Sequence, residues 1–278
     1  MKIPESKLNV KLIALDLDDT LLNKDCIITP KTLSALHKAC DQGIYVVLCS
    51  GRANNGILPY VKQLNISSKQ YGKYIIAFNG SSIYDLQKNQ EFYKQSVPPE
   101  ILHYVYQEAK NHGISSIVYS PDTIFSWEDS EWAKLDAKLC NLKFEVKQDF
   151  DSFLNNDFPK MLVPSEPEKI TALKEFLSEK IGDKADIFIS KPFFLEVMPK
   201  NVGKGSAINI LAQKLNLPPN STMAFGDSMN DEQMIRLCTY GVAMKNGLDY
   251  IKNIADFVTE SDNNNDGIAE FLEKYVLD

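Results

Sequence analysis

Residues 10–20 read VKLIALDLDDT, and the parsing of the whole chain starts there. Val10–Leu17 is a nearly continuous apolar run, the pattern of a strand buried on both faces rather than one. Polar residues follow at once: Asp18, Asp19 and Thr20. A helix is then predicted over TPKTLSALHKACDQG, where Thr29 can cap, Pro30 suits the first helical position and Gly43 stops the run; Leu33, Leu36 and Cys40 form its apolar stripe. Ile44–Cys49 is a second buried strand, ending in Ser50-Gly51-Arg52, and Tyr74–Phe78 a third, ending in Asn79-Gly80. Buried strands alternating with helices predict an α/β fold with a Rossmann-like parallel sheet and right-handed crossovers.

The same grammar returns only near the C-terminus. Ser206–Asn216 carries the helical stripe Ile208, Leu211 and Leu215, and Thr222–Asp227, Gly241–Met244 and Ala255–Thr259 read as three more short buried strands. Between the two blocks the texture changes to alternating or aromatic-rich strand candidates with two clear helices, Pro98–Asn111 and Pro167–Ile181. The expected organisation is therefore a core of residues 1–82 and 199–278 with an α+β domain, residues 83–198, inserted between them. The short junctions at Ser81–Ile83 and Met198–Asn201 are suited to act as a pair of hinge strands.

Composition narrows the function classes. The chain has 278 residues, 44% hydrophobic and 24% charged, enough for a sizeable core without staples. Thirty basic against thirty-seven acidic side chains give a net charge of −7, which disfavours a dedicated nucleic-acid or anionic-membrane binder. No apolar run approaches the ~18 residues of a bilayer span. MKIPESKLNVK has no apolar signal-peptide core, so a cytoplasmic location is expected. Five cysteines, none spaced as CxxC, argue against a disulfide framework or a zinc ribbon. With only three histidines, none in an HExxH or HxH pattern, carboxylates are the better place to look for chemistry.

Open parallel sheets bind ligands beyond the carboxyl ends of their strands. Asp16, Asp18 and Thr20 stand there after the first strand, Ser50-Gly51-Arg52 after the second, Asn79-Gly80 after the third and Gly226-Asp227-Ser228-Met229-Asn230-Asp231 after the fourth. Asp16 and Asp18 are two apart, which in extended chain points both side chains the same way. Facing carboxylates repel unless a cation or a shared proton offsets them. With Asp227 they form an oxygen-rich set that suits Mg²⁺. Lys204 opens a helix, where a cation opposes the macrodipole; fixed negative charge, from carboxylates or a phosphate, would explain it. Ser50 and Gly51 offer a hydroxyl and backbone N–H groups to an anion. Taken singly, each residue has a plainer reading: Asp19 and Asp231 as helix caps, Ser50-Gly51-Arg52 as an ordinary strand-to-helix turn, Asn230 as the cap of the helix after it, Lys204 as a solvated lysine. Their convergence at strand ends is what those readings do not explain.

These residues add up to a resemblance. DLDDTLL (Asp16–Leu22), SGR (Ser50–Arg52), GKG (Gly203–Gly205) and GDSMND (Gly226–Asp231) resemble, in order, the four motifs of the haloacid dehalogenase superfamily. FNG (Phe78–Gly80), GVAMKNG (Gly241–Gly247) and DGIAEFL (Asp266–Leu272) resemble its Cof-type, subclass IIB phosphatases. The resemblance implies Asp16 as nucleophile and Asp18 as general acid/base. It implies Mg²⁺ on Asp16, Asp227 and the Asp18 backbone carbonyl, and phosphoryl binding by Ser50, the Gly51 amide, Lys204 and Asn230. Asp231 would orient Lys204, with Thr20 and Arg52 in support.

The expected activity is thus Mg²⁺-dependent hydrolysis of small phosphorylated metabolites, sugar phosphates favoured, through an aspartyl-phosphate, in a monomer or weak homodimer. The inserted segment matches the family only in position and size and transfers no substrate. One alternative is a phosphomutase or phosphotransferase on the same scaffold. A second is a non-enzymatic phospho-acceptor switch, against which Asp18, two residues after the nucleophile, argues for turnover.

Overall fold

In the computed structural model, residues 2–278 are described. The chain begins with β1 (Leu12–Leu15), β2 (Tyr45–Cys49), β3 (Tyr74–Ala77), β4 (Ser82–Asp85) and β5 (Gln90–Lys94). It continues through β6 (Ile117–Tyr119), β7 (Thr123–Ser126), β8 (Lys143–Val146), β9 (Met161–Pro164), β10 (Ala185–Lys191) and β11 (Phe194–Pro199), and ends with β12 (Thr222–Gly226), β13 (Tyr240–Ala243) and β14 (Phe257–Val258). Two compact units result: Met1–Gly51, Ile57–Phe92 and Gly203–Asp278 form one, Arg52–Gly56 and Tyr93–Val202 the other.

The first unit holds an eight-stranded sheet in the order β14-β13-β12-β1-β2-β3-β4-β5. From β14 to β3 every pairing is parallel, as continuous apolar strands require. Leu12–Leu15 is buried throughout between β12 and β2, with Ala14 opposite both Ala224 and Val47. The helix Pro30–Asp41 starts as its sequence dictates, with the Thr29 hydroxyl accepting from the Thr32 N–H and Pro30 in the first position.

The boundary expected at residue 83 lies too early. Ser82–Asp85 pairs antiparallel with β3, Ile76 opposite Ile83, so this stretch extends the first sheet, and β5 lies on its edge. The inserted unit runs on to Val202 and includes Arg52–Gly56.

That unit contains a six-stranded sheet, β10-β11-β9-β6-β7-β8, mostly antiparallel. One face packs Val118, Met161, Val163, Leu195 and Val197 with buried residues of the helices Pro99–Asn111 and Pro167–Ile181. The strand alternation puts Tyr119 and Glu196 on the other face. There the Tyr119 hydroxyl donates to Asp136 Oδ2 at 2.7 Å, and the Lys160 ammonium donates to Glu196 Oε2 at 3.2 Å and lies 4.6 Å from the Tyr119 ring centre. Asp136 comes from a helix, Glu131–Cys140, that the sequence reading did not place. No helix among the described residues is long and apolar enough to cross a membrane.

Candidate active site

Asp16 leaves β1 with an extended backbone, its N–H still donating to Phe225 O at 3.1 Å on the neighbouring strand β12. Asp18 is extended too, so the chain keeps the local conformation that the spacing of two requires. Asp19 then turns left-handed, at φ 60°, a conformation Asp tolerates better than most residues. The turn closes with Leu21 N–H to Asp16 O at 3.2 Å. Thr20 thereby reaches across and donates to Asp227 Oδ1 at 2.7 Å.

The strand β12 ends at Gly226, and Asp227 follows. A Cβ at Gly226 would stand 2.5 Å from the Cβ of Asp231, so only glycine lets the next loop fold back so closely. In that loop Asp231 Oδ2 accepts from the N–H groups of Asp227 and Ser228, at 2.9 and 3.1 Å. Its Oδ1 accepts from Lys204 Nζ at 2.6 Å. Lys204, the first residue of the helix Lys204–Lys214, also donates to Asp16 Oδ1 at 2.5 Å, and its side chain is wholly buried. The cation at the helix start therefore does face fixed carboxylates.

The electrostatics follow from burial and charge count. Burial pushes the Asp16 carboxyl well above its ordinary range; Asp231 and Asp227 add to the rise and Lys204 opposes it. Asp227 is pushed up to about 7 by burial and Asp231, against the Thr20 hydrogen bond and Lys204. Burial would lower the Lys204 ammonium, but Asp16 and Asp231 outweigh it and hold the group charged. Oxygens of Asp16, Asp227 and Asp231 lie within 4.8 Å of one another. One buried ammonium does not neutralise three carboxylates, and Asp231 already spends both oxygens on Lys204 and two backbone N–H groups. Asp16 and Asp227 are thus the pair suited to a further cation, and their hard, all-oxygen donors fit Mg²⁺.

Beside this group, Ser50 N–H donates to Ile76 O at 2.9 Å, which fixes the turn after β2. Asn230 Nδ2 donates to Asn79 Oδ1 at 3.3 Å, and its own Oδ1 accepts from the Ser228 hydroxyl at 2.7 Å. Asp16, Thr20, Lys204, Asp227 and Asp231 are therefore directly linked. Ser50 and Asn230 join one another through Asn79, whose N–H donates to Ser50 O at 2.9 Å. Arg52 lies in the stretch that groups with the inserted unit. Asn79 and Ser228 received no role from the sequence, although both follow strand ends and lie within the FNG and GDSMND motifs.

A family model described as haloacid dehalogenase-like hydrolase matches residues 13–272. The chain belongs to that family. Within these hydrolases it falls with the Cof-type phosphatases, as the motif order implies, and is a phosphoric monoester hydrolase by class. A Streptococcus pyogenes (serotype M6) relative is 32% identical over 274 residues, covering 97% of this chain and 100% of its own. The 5-amino-6-(5-phospho-D-ribitylamino)uracil phosphatase YwtE of Bacillus subtilis is 30% identical, with 96% of this chain and 98% of that protein covered. Among solved structures, a haloacid dehalogenase-like hydrolase of Bacteroides thetaiotaomicron superposes with a TM-score of 0.85 at 29% identity, covering 95% of this chain and 98% of its own.

Proposed function

We propose that this hydrolase is a Mg²⁺-dependent phosphatase of small phosphorylated metabolites, with sugar or polyol phosphates as substrates and an aspartyl-phosphate as intermediate. The observation that carries the reading is the Lys204 ammonium held between Asp16 and Asp231, with Asp227 alongside. Asp16 is the nucleophile: one carboxylate oxygen bonds to phosphorus as the bond to the leaving alcohol breaks. Asp18 gives that alcohol its proton, then takes one from the water that cleaves the acyl-phosphate, a role typically worth ~10²–10⁴ in rate. Ser50, the Gly51 amide, Lys204 and Asn230 bind the phosphoryl oxygens as charge redistributes over them. Asp16, Asp227 and the Asp18 carbonyl would hold Mg²⁺, whose positive charge would offset carboxylate–phosphate repulsion.

Three Bacillus subtilis relatives, 27–30% identical, are phosphatases of 5-amino-6-(5-phospho-D-ribitylamino)uracil, a phosphorylated polyol on a heterocycle, and this supports the substrate class. The test is phosphate release by purified protein from a panel of phosphorylated sugars and polyols, with trapping of the acyl-phosphate and identification of the modified residue. Release without any activating bisphosphate separates hydrolysis from mutase chemistry. A phosphoryl group trapped anywhere but Asp16 refutes the mechanism.

A further inference from the structure

Phe78, Asn79 and Gly80 leave β3 with φ of 50°, 51° and 101°, three left-handed residues in a row, of which only the last is glycine. Such strain persists only where the surroundings over-determine the backbone, and it concentrates at functional sites. Here the surroundings are the groups assigned to the phosphoryl oxygens. The Asn79 N–H donates to Ser50 O at 2.9 Å. The Asn79 carboxamide fills the space beside Gly51, where a Cβ would stand 2.9 Å from its Oδ1. Its Oδ1 accepts from Asn230 Nδ2 at 3.3 Å. At Gly80 a Cβ would stand 2.2 Å from Gly203 O and 2.9 Å from Lys204 N, so the same turn abuts the start of the Lys204 helix. Asn79 itself is buried.

We infer that Asn79 is a positioning residue for phosphoryl transfer, its backbone holding the Ser50-Gly51 turn and its side chain aiming the Asn230 carboxamide. The strained turn locks three separate segments of chain into one anion-binding surface. Asn230, gripped by Ser228 at one end and Asn79 at the other, has little freedom to swing away. The inference rests on the phosphatase reading above.

The test is Asn79→Gly, which keeps the left-handed backbone accessible and deletes the carboxamide. With p-nitrophenyl phosphate, kcat should fall about 10²-fold, the scale on which small misplacements act. Inhibition by orthovanadate, which mimics the transferring group, should weaken in parallel while the melting temperature stays within a few degrees. Combining it with Asn230→Ala should add little to the loss from Asn230→Ala alone, because the two residues act through one contact. Wild-type kcat and vanadate inhibition in Asn79→Gly, or losses that multiply in the double variant, would overturn the assignment. Should Asn79→Gly not fold, Asn79→Ser, too short to reach Asn230, takes the same measurements; two unfolded variants would make Asn79 a stability residue and also overturn it. If the wild type releases no phosphate from the aryl ester, the phosphatase reading itself has failed, a distinct outcome.

Discussion

Lys204 Nζ and Asp231 Oδ1 lie 2.6 Å apart with neither side chain exposed to solvent. A pair so deeply buried has cost both ions their hydration, and removing one partner strands the other charge. Lys204→Met should therefore destabilise the protein by about 3–5 kcal/mol, beyond what the lost methylene packing explains. Urea denaturation of the two proteins measures it; a midpoint within error of wild type would contradict the pairing.

Metal dependence is the expected outcome of three carboxylates gathered around one ammonium. EDTA should abolish phosphate release and Mg²⁺ restore it. Mg²⁺ should also raise the melting temperature as its concentration passes the dissociation constant, because a ligand of the native state stabilises it by mass action. An unchanged melt in both conditions, with full activity after chelation, excludes Asp16 and Asp227 as ligands.

The roles proposed for the two aspartates of the first loop differ, and substitution should separate them. Asp16→Asn should eliminate turnover, since an amide is a poor nucleophile. Asp18→Asn should slow it by roughly 10²–10⁴ and leave the acyl-phosphate trappable. Equal losses in both, with no trapped intermediate in either, would remove the division of labour.

In the inserted unit, burial pushes the Asp136 carboxyl up; Glu196 adds to the rise, while Lys160 and hydrogen bonds from Tyr119 and Cys140 oppose it. The native state thus keeps this proton to a higher pH than the unfolded chain, where Asp titrates near ~3.9. Through that window the native state binds more protons, so Asp136 contributes stability that is lost as pH rises. Asp136→Asn keeps an acceptor for the Tyr119 hydroxyl and removes the titration. Its melting temperature relative to wild type should improve steadily as pH rises above about 4. A pH-independent difference would show that Asp136 titrates normally.

Much of this was legible in the sequence because parallel strands are buried on both faces and announce themselves as unbroken apolar runs. Leu12–Leu15, Tyr45–Cys49 and Thr222–Gly226 are such runs, and each ends where polar residues crowd. That rule exposed Asp16, Ser50 and Asp227 without a contact map. The helix Asn54–Leu64 escaped because Pro59 sits inside it, and proline normally marks a helix boundary. Glu131–Cys140 escaped because one of its buried residues is Asp136, which no apolar periodicity registers. The edge strand β5 reads as part of the insertion because its mostly exposed pattern suits an antiparallel strand, whichever sheet it joins. Asn79 is marked by its strand-end place and the FNG motif, but its role is not legible: left-handed φ at Phe78 and Asn79 is imposed by tertiary contacts, and neither residue's identity demands it.

The hydrogen bond from Thr20 to Asp227 joins residues 207 positions apart. A ribosome must synthesise the whole inserted unit before the second half of this bond exists. Until then β1 lacks the neighbour β12 on one side, and Asp16 has no ammonium beside it. Late closure of so long a loop is entropically slow, so formation of the first sheet should set the folding rate while the insertion folds early on its more local contacts. The nascent chain therefore carries Asp16 through most of translation without the buried ammonium that holds it in the folded protein.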